Sequence, residues 1–194
     1  MYASISSFLS HSPLSTFTLD SAPSHLAANQ SAFSFLSGSS GTIYTFGDPR
    51  HSHLGRTHSA LAPACAPGVV DALDGIRMSS VATGGWLSAA VSAERDLYVW
   101  GGARDEVLVP GGEVELVQEP EEVDGVAVGD GHVVAWCRGK VWGVGASLNG
   151  QMGRKSGWER EWREIEGVCA SPGERVCEVV CGGWGTLVVV KMEE

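Results

Sequence analysis

The chain has few basic residues. Thirteen Lys and Arg stand against 23 Asp and Glu, so the net charge is −10 over 194 residues. Non-specific nucleic-acid binding takes its affinity from clustered Lys and Arg, so direct binding to nucleic acid is not expected. No Lys or Arg precedes Arg50. Secretory signals and transit peptides need early basic residues, so the sequence predicts neither, and we expect an intracellular protein.

Long apolar runs and paired cysteines are also missing. No apolar stretch approaches the ~18 residues of a membrane span, so no membrane association is expected. The five cysteines include no Cys-x-x-Cys pair and match no zinc spacing. We interpret them as reduced, buried thiols of an intracellular protein. They are Cys65, Cys137, Cys169, Cys177 and Cys181.

No pattern in the chain nominates a catalytic group. A phosphate-binding Gly-x-x-x-x-Gly-Lys-Ser/Thr loop is absent, and no Gly-x-Ser-x-Gly turn follows a strand. The densest histidine group is His51, His53 and His58. It has no cysteine or acidic residues at metal-ligand spacing, so we interpret these histidines as exposed loop residues. Without a nucleophile beside a base, the protein is expected not to be an enzyme and to need no cofactor or metal.

Glycine, in contrast, is abundant, with 26 residues or about 13% against a usual ~7%. The stretch KVWGVGASLNGQMG (140–153) recurs as TIYTFGDPRHSHLG (42–55), and its first half recurs in DLYVWGGARDEV (96–107). Each copy follows another strand-like segment and a short turn. This pattern predicts β-hairpins with turns at 38–41, 93–96 and 138–139.

Two further short sequence patterns recur in the same order along the chain. One is VATGGW (81–86), VAVGDGH (126–132) and VVCGGW (179–184); the other is an apolar–acidic–Gly–apolar run at 73–76, 123–126 and 165–168. Their spacing of roughly fifty residues predicts repeat units. We place the repeat domain at 25–194, with units at about 25–75, 76–125, 126–167 and 168–194. The serine-rich residues 1–24 are expected to be poorly ordered or divergent.

A unit of this length with short strands and glycine-rich turns is typical of a β-propeller blade. Helical periodicity is nearly absent. Its one candidate is WEREWREIE (158–166), which fits either a short inserted helix or an outer strand, and the inserted helix is favoured. Large side chains on the inner strands should fill the space between blades. Trp100, Trp142 and Val144 are therefore predicted to be buried there.

These marks together resemble the RCC1-like repeat, named for the regulator of chromosome condensation. The third unit matches best, with Gly129-Asp130-Gly131-His132, Val141-Trp142-Gly143-Val144-Gly145 and Gly150-Gln151-Met152-Gly153. The resemblance implies an all-β fold of about three to four propeller blades, and a hydrogen bond of His132 within its own blade. Related propellers have about seven blades. The chain is thus expected to be a partial or shortened propeller, its open edges covered by self-association, by a partner, or by strand 186–190 joining the first blade.

The resemblance also implies a function, that of a non-catalytic adaptor for protein–protein interaction. The short acidic chain resembles in particular the alpha-tubulin suppressor group. That likeness implies pairing with a small metal-binding protein of diphthamide synthesis, and support of wobble-uridine modification of tRNA. The alternative follows the founding member of the family: a guanine-nucleotide exchange factor for a Ran-type small GTPase.

Candidate binding residues lie in two segments where the repeat tolerates variation. The Gly47–Gly55 loop carries Asp48, Arg50, His51 and His53. The acidic segment 105–124 carries Glu119, Glu121 and Glu122, and has no Lys or Arg. We expect both segments to be exposed on one face and to bind a protein partner, although a merely solvated acidic loop also fits the second. Neutralising the three glutamates is expected to leave stability unchanged.

Overall fold

A computed structural model describes residues 5–12, 16–19, 21–102, 108–155, 157–168 and 173–192. Within these ranges the regular structure is almost entirely β, which confirms the predicted fold class. The short helix α1 spans Ile5–Leu9. No helix in the described ranges is both long enough and apolar enough to cross a membrane.

Fourteen strands form four antiparallel sheets within the described residues. Sheet 1 contains β1 (Pro23–Ala28), β2 (Ala32–Ser37), β3 (Ile43–Gly47) and β4 (Gly68–Val69); sheet 2 contains β5 (Met78–Gly84), β6 (Leu87–Ser92), β7 (Leu97–Gly101) and β8 (Glu115–Leu116). Sheet 3 contains β9 (Gly125–Val128), β10 (His132–Cys137), β11 (Lys140–Ser147) and β12 (Gly157–Glu164); sheet 4 contains β13 (Glu174–Cys181) and β14 (Thr186–Met192).

The four sheets are arranged as propeller blades. Within each sheet the strands follow one another in chain order. The first strand of each sheet contacts the first strand of the next, β1 against β5, β5 against β9, and β9 against β13. Among the described residues β14 pairs with β13 alone, and sheet 1 has four strands of its own. The prediction that strand 186–190 joins the first blade is therefore wrong. The unit limits and the expectation for residues 1–24 stay predictions.

The three hairpin turns lie where the sequence predicted them. They connect β2 to β3, β6 to β7, and β10 to β11. The tightest turn has only Arg138 and Gly139 between its strands, with φ of 49° and 77°. Two positive φ values are what a two-residue hairpin turn requires, because this backbone matches the twist of the flanking strands.

The segment predicted as an inserted helix is the outer strand β12. It pairs with β11, with Glu159 opposite Gly145 and Glu164 opposite Trp142. The helical interpretation rested on Trp158 and Trp162. A spacing of four residues places two side chains on one face of a strand as well as of a helix. Pairing β12 also satisfies the backbone groups of β11, which decides between the two.

The core lies between the sheets rather than within one layer. Three clusters, rich in valine, lie between sheets 1 and 2, 2 and 3, and 3 and 4. Trp100 is fully buried and Val144 is 6% exposed, as predicted. Trp142 is only half-buried, so the prediction for it is wrong. Trp142 stands three residues before Gly145, as Tyr98 stands three residues before Gly101 in sheet 2. Trp100 directly precedes Gly101, so the two tryptophans occupy different positions in their strands.

Trp100 fixes sheet 2 to the long loop of sheet 1. Its indole Nε1 donates a hydrogen bond of 3.0 Å to the carbonyl oxygen of His53. A Cβ on Gly55 would lie 2.8 Å from the indole ring, at a backbone φ of +62°. Only glycine therefore fits beneath this tryptophan.

His132 joins two sheets instead of bonding within its own. Its Nε2 lies 3.1 Å from Thr186 Oγ1 in sheet 4, and the imidazole is completely buried. A Cβ on Gly129 would lie 2.7 Å from His132 Nδ1 and 2.6 Å from the carbonyl oxygen of Gly182. The glycine thus permits the close approach of sheets 3 and 4, and the expected hydrogen bond within one blade is not the one observed.

The cysteines are less uniformly buried than expected. Cys137 is buried, Cys177 and Cys181 are half-buried, and Cys65 is exposed. Cys169 lies outside the described residues. Burial raises the pKa of the Cys181 thiol to about 11, which keeps it protonated and unreactive at neutral pH.

Replacing Trp100 with alanine should lower the free energy of unfolding by about 3–5 kcal/mol, because it leaves a large cavity and removes the indole hydrogen bond to the His53 carbonyl group. Denaturant unfolding followed by circular dichroism measures this. Trp142→Ala should have a clearly smaller effect because that side chain is half-buried, and Trp184→Ala, at 80% exposure, is the control. Equal losses for Trp100→Ala and Trp184→Ala would contradict the docking role of Trp100.

Candidate protein-binding faces

The topology divides the connections between strands into two faces. In a sheet whose strands follow one another, successive connections lie at opposite ends. The long-loop face carries the described loop residues 48–67, 108–114 and 148–155 together with the turns between the first two strands of each sheet. The linker face carries the hairpin turns at 38–42, 93–96 and 138–139 together with the described linker residues 70–77, 117–124 and 165–168.

On the long-loop face, Asp48 and Arg50 form an ion pair. Arg50 Nε donates to Asp48 Oδ2 at 2.7 Å, and its Nη2 contacts the same oxygen. These hydrogen bonds from Arg50 lower the pKa of Asp48 to about 2. The Arg50 side chain is 70% exposed. Asp48 thus orients Arg50 and keeps one positive charge at the surface of a chain that is acidic overall.

His51 and Trp86 form the adjacent contact. Their ring centroids are 4.5 Å apart at an interplanar angle of 54°. Trp86 belongs to the turn between β5 and β6, so the contact joins the 48–67 loop of sheet 1 to this turn of sheet 2. His51 has a φ of +63°, which turns the chain between the ion pair and the buried end of the loop.

His53 is buried, and its predicted exposure is wrong. Only 1% of its surface is accessible, and its carbonyl oxygen accepts from Trp100 and from Ser88 Oγ. Burial lowers the pKa of its imidazole. The physical reason lies in the neighbouring sheet: Trp100 and Trp86 cover the end of the loop. His53 therefore anchors the loop from beneath.

Arg56 holds the remainder of this long loop in place, a role that the sequence analysis missed. Its guanidinium donates to the carbonyl oxygens of Thr45 (3.2 Å), Pro63 (3.2 Å) and Ala66 (2.8 Å). Every residue has a backbone carbonyl group, so the sequence does not show which of them an arginine will contact. The one available signal was an arginine directly after the glycine that ends the repeat motif.

On the linker face, Glu122 belongs to a network of ion pairs. It contacts Arg138 in the β10–β11 turn, with Nε donating at 2.9 Å. Arg95, in the β6–β7 turn, donates to the carbonyl oxygen of Glu122 (2.5 Å) and to Asp124 (2.6 Å). Arg138 lowers the pKa of the Glu122 carboxyl group. Glu122 thus connects sheets 2 and 3, and the expectation that neutralising it leaves stability unchanged needs correction.

Glu119 and Glu121 are exposed beside it. The acidic segment does not form one surface. Residues 108–114, which include Glu113, lie on the long-loop face. Glu115 lies in β8, and residues 117–124 lie on the linker face. Asp105 and Glu106 lie outside the described residues. The seven candidate residues are therefore divided between opposite faces, and the expectation that they share one face is wrong.

Large apolar side chains are exposed on the long-loop face, among them Leu61 in the 48–67 loop at 99%. Trp184, in the β13–β14 turn, is 80% exposed, and Leu148, at the start of the β11–β12 loop, is 57% exposed. Trp184 stands in a Gly-Gly-Trp turn like that of Trp86, yet only Trp86 is covered by histidine. The repeated Gly-Gly-Trp motif was visible in the sequence, but the difference in exposure was not.

Among the described residues, no group of three His, Cys, Asp or Glu side chains is arranged to hold a metal ion. The candidate site consists of surface loops and the charges that they carry. The arrangement presents mixed charge and exposed aromatic area on supported loops, which suits recognition of another protein surface.

Comparison with known proteins identifies the class of these sheets. No family model matches the chain. It is 41% identical to RCC1 domain-containing protein 1 of Mus musculus over 61 residues, which are 31% of this chain and 16% of that protein. The packed sheets are β-propeller blades. Their repeats are of the RCC1-like type.

Two solved structures share the fold. Human WBSCR16 superposes with a TM-score of 0.74 at 19% identity, over 90% of this chain and 47% of its own. Prp20p of Saccharomyces cerevisiae gives a TM-score of 0.71 at 17% identity, over 89% of this chain and 44% of its own. The chain therefore spans less than half of either structure.

Glu122→Gln should lower the free energy of unfolding only slightly, because the ion pairs that it removes are partly exposed. A small decrease of the melting temperature is expected, and it should shrink at high salt. The control is the double variant Glu119→Gln with Glu121→Gln, which should melt like the wild type. If all three substitutions are equally silent, Glu122 does not connect the sheets.

The free energy of unfolding should decrease as the pH falls below about 6.5, the ordinary pKa of histidine. Burial lowers the pKa of both His53 and His132. The unfolded chain therefore takes up protons that the folded chain resists, and stability present above this pH is lost below it. Urea unfolding at pH 7.5, 6.5 and 5.5 measures the effect. His132→Gln should flatten the slope, and an unchanged slope in this variant would contradict the assignment.

Proposed function

We propose that the chain is a non-catalytic protein-binding module whose long-loop face docks a partner protein. The observation that carries this proposal is the exposure of Trp184 and Leu148 on the face that also presents Arg50. Tryptophan and arginine are enriched among the residues that dominate binding energy at protein interfaces. An indole exposed to 80% loses unfavourable contact with water when a partner covers it.

The support beneath this face favours binding. Trp100 and His53 fix one end of the 48–67 loop, and Arg56 fixes its middle through three carbonyl groups. A loop that is already ordered loses little conformational entropy on association. Asp48 orients Arg50 in the same way. The proposed binding residues on this face are thus Asp48, Arg50, His51, Leu148 and Trp184, with His53 as their anchor.

The linker face is a secondary candidate. Glu119 and Glu121 are exposed there, and Glu122 contributes to the same negative patch while it pairs with Arg138. Exposed charges at the rim of an interface act mainly on association rate and salt sensitivity. This patch would attract a basic partner without determining its affinity.

A finer proposal concerns the identity of the partner. The likeness to the alpha-tubulin suppressor group favours an adaptor in the cytoplasm or nucleus that pairs with a small metal-binding protein of diphthamide synthesis and supports tRNA wobble-uridine modification. The support for it is that resemblance alone. Co-purification with such a protein from a native extract is the test, and its absence would remove this proposal while leaving the binding module intact.

The second candidate function is nucleotide exchange on a Ran-type small GTPase. It is favoured by the fold shared with Prp20p, whose structure is described with its binding to Gsp1p and histones. At 17% identity the likeness concerns the fold. Accelerated release of fluorescent GDP from a Ran-type GTPase would support exchange over simple binding.

Trp184→Ala combined with Arg50→Ala should weaken capture of a co-purified partner at least ~10-fold, the usual effect of losing about 1.4 kcal/mol or more at an interface centre. Surface plasmon resonance at fixed salt measures it. The matched control on the opposite face is Glu119→Gln with Glu121→Gln, which should change the association rate at most. Should the control pair abolish capture and the first pair leave it intact, the linker face binds instead.

A further inference from the structure

The chain contains two asparagines, whose side chains are held very differently. Asn29 lies in the turn between β1 and β2, and Asn149 lies in the loop between β11 and β12. The side-chain oxygen of Asn29 accepts hydrogen bonds from the backbone N–H groups of Ala32 (2.7 Å) and Ser31 (3.0 Å). The side-chain amide of Asn149 makes no hydrogen bond among the described residues, and this residue is exposed. The first amide is therefore fixed, and the second can turn.

The residue after Asn149 is a glycine in open surroundings. Gly150 has a φ of +87°. Beyond its chain neighbours, the nearest atom to a Cβ built on Gly150 is Lys155 Cγ, at 4.0 Å. The N–H of Gly150 bonds to the carbonyl oxygen of Ser147 at 3.3 Å, which is longer than the usual ~2.9–3.0 Å. The backbone nitrogen of Gly150 is therefore weakly held, and no side chain shields it.

The loop on either side of this pair is firmly supported. Ser147 is completely buried, and its hydroxyl oxygen accepts from the backbone N–H of Met152 at 3.2 Å. Gln151 is 5% exposed, and its side-chain oxygen accepts from the backbone N–H of Asn149 at 2.9 Å. The tip at 148–150 thus projects from a folded loop, so its chemistry is accessible without unfolding.

We propose that Asn149 is a site of covalent modification, at which the folded protein loses the side-chain amide and gains a carboxylate. The backbone nitrogen of Gly150 attacks Cγ of Asn149 and forms a new N–C bond, while the Cγ–Nδ2 bond breaks. The proton of the Gly150 amide leaves with the departing nitrogen as ammonia. Solvent water then adds to either carbonyl carbon of the five-membered imide and opens the ring to aspartate or isoaspartate.

The glycine makes this attack possible. A side chain on the second residue would crowd the approach of its nitrogen to Cγ, and glycine has none. Glycine also adopts the range of backbone angles that ring closure requires. At Asn29 the next residue is Gln30, and two hydrogen bonds hold the side-chain oxygen. The structure therefore favours reaction at Asn149 over Asn29.

The modification changes the long-loop face. Asn149 directly follows Leu148, whose side chain is 57% exposed there. Each conversion adds one negative charge to this face. Opening of the ring to isoaspartate also adds one carbon atom to the main chain between Leu148 and Gly150. A partner that covers Leu148 would have to bury the new charge beside it. This consequence rests on the proposed function, whereas the chemistry at Asn149 does not.

Peptide mapping of the isolated protein tests the chemistry. The folded chain is kept in warm, mildly alkaline buffer, and tryptic peptides are separated and weighed at intervals. Asn149 lies in the peptide 141–154, and Asn29 lies in a different one. We expect two products of 141–154, the aspartate and isoaspartate forms, and a rate at least ~10-fold above that at Asn29. The rate should rise with pH, because the Gly150 amide must lose its proton.

The chain unfolded in denaturant supplies the reference rate. Folding should slow the reaction of Asn149 only a few-fold, because the tip is exposed, and should slow that of Asn29 much more. Asn149→Gln is the matched variant. Its longer side chain would have to close a six-membered ring, so no product should appear at this position, and an unchanged melting temperature shows that the variant is folded. Equal rates at the two asparagines, or strong protection of Asn149 by folding, would overturn the proposal.

Asn149→Asp carries the new charge permanently and tests the effect on docking. It should weaken capture of the co-purified partner several-fold, measured by surface plasmon resonance. If amide loss occurs at Asn149 and this variant still captures the partner like the wild type, the effect on docking is overturned. Failure of the proposed function would appear instead as unchanged capture by the combined Trp184→Ala and Arg50→Ala variant.

Discussion

The two inner sheets of this protein are buried on both faces, and each of those faces is covered by a neighbouring sheet. All six residues of β6 are buried, and Ala89 and Ala90, which point to opposite faces, are both completely inaccessible. No single-layer arrangement buries both. Sheets stacked side by side do, at the cost of bringing backbones very close together. A Cβ on Gly84 would lie 2.7 Å from the carbonyl oxygen of Gly129, so the stacking requires glycine at this position.

Among the described residues, sheets 1 and 4 each have one outer face that no other sheet covers. On sheet 1 the outer face is aromatic: Phe33 stacks on Phe46 and Phe35 on Tyr44, with centroids 5.0 and 5.1 Å apart. Phe17 lies 6.4 Å from Phe46 and covers part of this face. Sheet 4 presents Leu187 at 63% exposure and a free edge instead. One end of the stack is thus partly covered by the chain itself, while the other end is more exposed among the described residues.

Local features of the fold could be predicted from the sequence, and relations between sheets could not. The hairpins were predictable because two strands and their turn lie within some fifteen residues. The strand at 157–164 was not predictable, because the four-residue spacing of Trp158 and Trp162 places both side chains on one face of either a helix or a strand. The burial of His53 could not be predicted, because it depends on Trp100, which is 47 residues away in the sequence. Whether two loops lie on the same face depends on whether an even or an odd number of strands separates them, and the sequence did not fix that number for the candidate residues. The ion pairs of Glu122 could not be predicted because Arg95 and Arg138 contact it from neighbouring turns.

The contrast between Trp100 and Trp184 has a spectroscopic consequence. Trp100 is completely enclosed, with its indole N–H bonded to a carbonyl group, whereas Trp184 stands in water at the tip of a turn. An enclosed indole emits at shorter wavelength than a hydrated one, and aqueous quenchers such as iodide reach only the latter. The intrinsic fluorescence of the folded chain therefore contains at least two separable populations, one reporting on the contact between sheets 1 and 2 and the other on the surface of sheet 4.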